Sequence, residues 1–203
     1  MPDKTKIMLS EQELKIVTDT NWVLTKQEII KKVYALFNEQ VAVIGKILTE
    51  KKSGYPVKLT TTLPKISKGE NYRSLPYVIL DYPGIFGREN IFALRTMFWW
   101  GNFFSITLHL SGDYKDQYGP IFYDVLVSSA KDFYICVNDK AWEHHFEPSN
   151  YMEVSKINKE ELRALFSQKD FIKIALKINL THWNNIENLL QADYIKMLHL
   201  LDA

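Results

Sequence analysis

The sequence predicts one α+β domain with a largely antiparallel central sheet, flanked by helices at its N-terminal and C-terminal ends. Three observations carry this. Apolar residues recur every three or four positions near both ends, and strand-like segments lie together in the middle. Residues 171–180 alternate apolar and polar, whereas buried parallel strands read as continuous apolar runs. No linker or composition shift divides the 203 residues, so 1–203 reads as a single domain, with 1–9 expected as a disordered tail.

The first helices announce themselves by their caps. Ser10 with Glu13 and Thr25 with Glu28 have capping-box spacing. From Lys26 onward, Ile29, Ile30, Val33, Leu36, Phe37, Val41, Ile44 and Leu48 place one stripe against a core for about six turns. Lys51 and Lys52 suit the end of that helix, and Ser53-Gly54 stops it.

The middle of the chain changes period. Residues 72–82 (YRSLPYVILDY) read as a strand in which Pro76 marks an edge or a bulge, followed by a turn at Pro83-Gly84. Residues 91–110 read as a hairpin closing on Gly101-Asn102, a pair suited to a type II′ turn. A two-residue loop sets Trp100 opposite Phe103. One face then carries Ala93, Arg95, Met97, Trp99, Phe104, Ile106 and Leu108, the expected core. The other carries Leu94, Thr96, Phe98, Trp100, Phe103, Ser105, Thr107 and His109.

Pro120 fits the first position of a helix running to about residue 130. Short strands are expected at 133–137 and 147–156, and Asn158 with Glu161 caps a helix through Phe166. In 171–180, Ile172, Ile174, Leu176, Ile178 and Leu180 take one side, with Lys173, Ala175, Lys177 and Asn179 on a solvated one. Ile186, Leu190, Tyr194, Met197 and Leu201 mark a final helix.

Composition narrows the function classes. Lys and Arg number 25 against 24 Asp and Glu, a net charge of +1. Dedicated nucleic-acid binders carry a basic excess, so that class loses weight. The single cysteine, Cys136, excludes an internal disulfide and a cysteine-based zinc site. The N-terminal residues lack the apolar stretch of a signal peptide, and the uncharged run 96–112 mixes Thr, Ser, Asn and His, unlike a membrane span. A cytoplasmic location without membrane association is the expectation. No glycine-rich phosphate loop, dinucleotide fingerprint, nucleophile elbow or His-Glu-x-x-His stands in the sequence, and no cofactor is implied.

Four constellations could carry chemistry. Arg73, Tyr77 and Asp81 share one face of a strand, where a guanidinium fork beside a tyrosine wall suits a carboxylate or phosphate. Arg95 sits in the apolar face of the hairpin and needs a counter-charge, either Asp81 across the sheet or an anionic ligand. Glu143, His145 and Glu147 would project from one side of an extended segment. That is a donor set for zinc, iron or manganese, although ligands two apart on one strand diverge, and a solvated turn anchored by Trp142 and Phe146 is the plainer reading. Cys136, between Ile135 and Val137, reads as a small buried hydrophobe.

Six aromatic side chains crowd 92–104, and those facing away from the core need helix cover or a partner. The reading that follows is a binding domain for a small anionic or amphipathic ligand, or for a second copy of the chain, on an aromatic-rich sheet. Its expected site is Arg73, Tyr77, Asp81, Arg95, Trp100 and His109. The arginines would hold negative charge, Tyr77 and Trp100 would wall the pocket, Asp81 would orient an arginine and His109 would hydrogen-bond. The competing reading is a hydrolase or isomerase with His109 or His145 as general base, assisted by a metal on Glu143, His145 and Glu147.

Overall fold

The computed structural model describes residues 7–50, 57–129 and 132–201. One seven-stranded sheet, β1 (Lys65–Tyr72), β2 (Leu75–Phe86), β3 (Ile91–Trp99), β4 (Phe103–Ser111), β5 (Tyr134–Cys136), β6 (Tyr151–Glu153) and β7 (Phe171–Asn179), runs in the order β1-β2-β3-β4-β7-β5-β6. Every pair is antiparallel. Helices α1 (Glu11–Thr18) and α2 (Thr20–Glu50) precede the sheet, with one turn, α3 (Val57–Thr60), leading into it. Helices α4 (Asp113–Ser129), α5 (Lys159–Gln168) and α6 (Ile186–His199) separate or follow the later strands. The α+β class, the antiparallel sheet and the terminal helices are therefore as the periodicity predicts.

Several boundaries move for identifiable reasons. Ser10 and Glu13 do cap α1 reciprocally. The second helix starts at Thr20 rather than at Thr25, because the Asp19 carboxylate accepts from the Trp22 backbone N–H at 3.1 Å. The stop expected at Ser53-Gly54 lies outside the described residues. Residues 72–82 are not one strand: Arg73 and Ser74, both at positive φ, reverse the chain between β1 and β2. Pro83-Gly84 does not turn. β2 runs through it with a bulge between Asp81 and Gly84, and the Tyr82–Pro83 bond is cis. A proline, lacking an N–H, fits an interrupted ladder.

Helix α4 begins seven residues before Pro120, because Tyr114, Tyr118, Phe122 and Leu126 form one core-facing row across it while Pro120 points to solvent. Of the strand expected at 147–156, only Tyr151–Glu153 pairs. Asn158 and Glu161 cap α5, and α6 carries its apolar row as expected.

The hairpin register differs by one residue. The loop has three residues, closed by the Asn102 N–H on the Trp99 carbonyl at 3.1 Å with Gly101 at φ +69°, so that Trp99 pairs with Phe103. A one-residue slip sends every β4 side chain to the opposite face. Phe104, Ile106 and Leu108 accordingly join Leu94 and Phe98 under the helices, while Phe103, Ser105, Thr107 and His109 share the face of Arg95, Met97 and Trp99. The helix-covered face is the main core, built on Phe37, Leu80, Phe92, Phe104, Ile174, Tyr194 and Met197. The other face is not wet. It lies beneath an irregular segment, residues 137–150, which buries Lys173 and Ala175 where alternation predicts solvent.

Candidate functional site

The covered face gathers unusual polarity at one place. Asp81 on β2 and Arg95 on β3 are direct cross-strand partners, and Thr107 of β4 continues the row. Arg95 forks onto Asp81, Nε to Oδ1 at 2.7 Å and Nη2 to Oδ2 at 2.9 Å, so the counter-charge that Arg95 demands comes from the protein itself. Its remaining Nη1 lies 3.2 Å from His144 Nε2. A guanidinium only donates, so Nε2 is the accepting nitrogen and His144 is neutral with its proton on Nδ1. Burial, followed by the Arg95 charge, pushes the His144 pKa well down in agreement.

Two more basic groups complete the cluster. Lys173 on β7 is 1 % exposed and donates to the backbone carbonyls of Ala141 (2.7 Å) and Glu143 (2.5 Å), with its ammonium 5.1 Å from the Tyr151 ring centroid. Among the described residues no carboxylate stands within ion-pair distance of it. Burial lowers its pKa to about 8. His109 on β4, opposite Lys173 in register, has a buried Nε2 without a hydrogen-bond partner among the described residues. Desolvation, then the charges of Lys173 and Arg95, bring its pKa down to about 3.

The lid over this cluster is fastened from several sides. The Tyr72 hydroxyl at the end of β1 accepts from the backbone N–H groups of His144 (2.7 Å) and His145 (3.1 Å) and donates to Glu143 Oε2 at 2.9 Å. The Asn150 side chain donates to the His145 carbonyl at 2.6 Å. Phe146 stacks on Tyr151 at 4.7 Å and meets Phe103 edge-on at 4.9 Å. Trp142, 48 % exposed, covers the rest: its ring lies 5.2 Å from the Arg95 guanidinium carbon and 5.0 Å from the His109 ring, with Phe86 beside it. Asp81, His109, His144 and Lys173 are all buried beneath this cover.

Of the expected site residues, Asp81, Arg95 and His109 come together here. Tyr77 lies on the same face, edge-on to Tyr72 at 6.3 Å, nearer the Trp99 end. Arg73 is at the β1–β2 turn, exposed and paired with Glu147, and takes no part. Trp100 faces the helices, packed against Phe98 at 5.4 Å, because the three-residue loop turns it away. The aromatic faces of the hairpin are covered on both sides, by helices and by 137–150.

Glu143, His145 and Glu147 do approach one another, but around the imidazole rather than around a common point. Glu143 lies 3.7 Å from Nε2 and Glu147 3.5 Å from Nδ1, on opposite sides of the ring. An ion needs converging donors, and among the described residues no such group of three is found. Cys136 is buried, and burial raises its thiol pKa, away from nucleophilic character.

Sequence reasoning misses Lys173, His144 and Tyr72. Lys173 stands at an alternate strand position that reads as solvated, and only the later burial by 137–150 makes it part of a site. Comparison with family models, with curated proteins and with solved structures returned no match. Among the described residues no helix is long and apolar enough to cross a membrane.

Proposed function

We propose that this chain binds a small oxyanion, a carboxylate or a phosphate-type group, in the basic cluster beneath Trp142. The observation that supports this is the unpartnered Nε2 of His109 in the combined field of Lys173 and Arg95. Arg95 is matched by Asp81, whereas Lys173 is held by two backbone carbonyls and the Tyr151 ring and has no carboxylate within ion-pair distance among the described residues. A buried ammonium without a carboxylate is costly, and a bound anion would offset that cost. The anion would accept a hydrogen bond from the His109 Nε2–H and lie beside Lys173, entering at half-exposed Trp142, whose ring lies against His109 and Arg95. With a pKa of about 3, His109 is a weak proton acceptor near neutrality, which favours binding over general-base catalysis at this residue.

The test uses inorganic phosphate and acetate as probes, each added at constant ionic strength while thermal unfolding and the His109 imidazole shifts are followed. The proposal expects a rise in Tm with one or both probes and an upward move of the His109 pKa, because nearby negative charge favours the imidazolium. Lys173→Met, which retains the stem's volume, and His109→Gln should each remove the response while near-UV circular dichroism stays folded. No response in the wild type, or an equal response in both folded variants, overturns the proposal.

A further inference from the structure

Two aromatic rings at the border of the basic cluster are left half in water. Of the five Trp and eleven Phe in the chain, only Trp22, Phe86 and Trp142 are exposed among the described residues. Phe86 and Trp142 lie together, ring centroids 6.3 Å apart and planes 34° from parallel, yet they remain 49 % and 48 % exposed. A contacting pair of exposed rings is informative in a way that a lone exposed apolar side chain is not.

The sheet sets where this pair lies. Gly84 of β2, Ala93 of β3, His109 of β4 and Lys173 of β7 form one cross-strand row on the covered face. Gly84 and Ala93 contribute nothing larger than a methyl group to the stretch of that row leading away from His109. The Phe86 ring folds over Gly84, where a Cβ would fall 2.8 Å from it, and Trp142 meets the His109 ring at 5.0 Å. The two rings therefore border the end of the row that carries the unpartnered His109 Nε2. Beside them the β2–β3 turn opens a cleft of about 660 Å³, lined by Ile85, Phe86, Arg88 and Tyr114 among others, a volume typical of small-molecule sites. We infer that the oxyanion bound at the basic cluster carries a flat aromatic ring, which stacks on the Phe86–Trp142 pair. This rests on the anion-binding reading above and names the ligand class: a ring-bearing phosphate or carboxylate rather than the bare ion. Exposed aromatic faces stack any flat ring, and such a contact strengthens binding by about tenfold or more.

The test is isothermal titration calorimetry of the full chain at constant ionic strength with three probes. They are inorganic phosphate, phenyl phosphate with the ring on the phosphate, and adenosine 5′-monophosphate with the ring set back by a sugar. At least one ring-bearing probe should bind about tenfold more tightly than inorganic phosphate. Phe86→Leu keeps an apolar side chain but removes the π face, so it should abolish this preference while leaving the response to inorganic phosphate as in the wild type. Lys173→Met and His109→Gln should weaken all three probes. Equal affinity for the bare and ring-bearing ions overturns the ring inference and leaves the anion site standing, whereas silence with all three probes overturns both. A preference that survives in Phe86→Leu, or ring-bearing probes indifferent to Lys173→Met and His109→Gln, puts the ring elsewhere and overturns the inference as well.

Discussion

At the scale of residues, the buried bases make stability depend on pH in a direction fixed by their shifts. His109 is lowered by burial and by Lys173 and Arg95 to about 3, from an ordinary imidazole value near 6.5 in the unfolded chain. Between those values the unfolded chain binds a proton that the folded chain refuses. Its stabilising contribution is complete above about pH 6.5 and is lost as pH falls towards 3, amounting to about 5 kcal/mol at the acid end. Lys173, lowered from 10.5 to about 8, acts with the same sign in another window, stability rising by about 3 kcal/mol between pH 8 and 10.5. Urea unfolding of His109→Gln across pH 3–7, and of Lys173→Met across pH 7–11, should show flatter profiles than the wild type in the matching window. Parallel profiles would mean that these groups titrate as they do in the unfolded chain. Arg95 and Asp81 were legible as a pair because strand alternation puts both on one side. Lys173 was not, since alternation tells sidedness but not whether that side is covered.

At the scale of elements, the sequence specifies helices better than register. Ser10, Asn158 and the apolar rows of α2 and α6 act locally, within one turn of chain, and each is found where the spacing puts it. A hairpin's register depends on whether its loop has two residues or three, and Trp100-Gly101-Asn102 is compatible with both. The structure chooses three, with Gly101 at φ +69°. A Cβ there would meet nothing within 4 Å, so the only penalty for substitution is conformational. Gly101→Asn should therefore be nearly neutral and Gly101→Val should cost about 1–2 kcal/mol. At Gly112, also left-handed, a Cβ would fall 1.9 Å from Asn90 Oδ1, so even Gly112→Asn should be clearly destabilising. Equal costs at the two glycines in chemical denaturation would contradict this reading of the turn.

At the scale of the whole molecule, one sheet separates two unlike layers. The helical side is a continuous apolar core, whereas the other is closed by fourteen residues without regular structure, held by Tyr72, Asn150, Lys173 and the Phe146 stack. Apart from Phe146, Ala141 and Trp142, that cover is held by hydrogen bonds rather than by apolar packing, so it is expected to open before the helix-backed sheet does. Phe146 and Trp142 should then separate in their effects. Phe146→Ala removes the ring wedged among Phe103, Tyr134 and Tyr151 and should cost about 3 kcal/mol. Amide exchange should accelerate most through 137–150 and least in β3 and β4. Trp142→Ala removes a half-exposed side chain and should change global stability by less than about 1 kcal/mol. It should nevertheless speed solvent exchange at His109, because that ring shields the imidazole face. Uniform acceleration across the sheet in Phe146→Ala would show the two layers opening as one unit, and a binding site beneath Trp142 would then have no local route of entry.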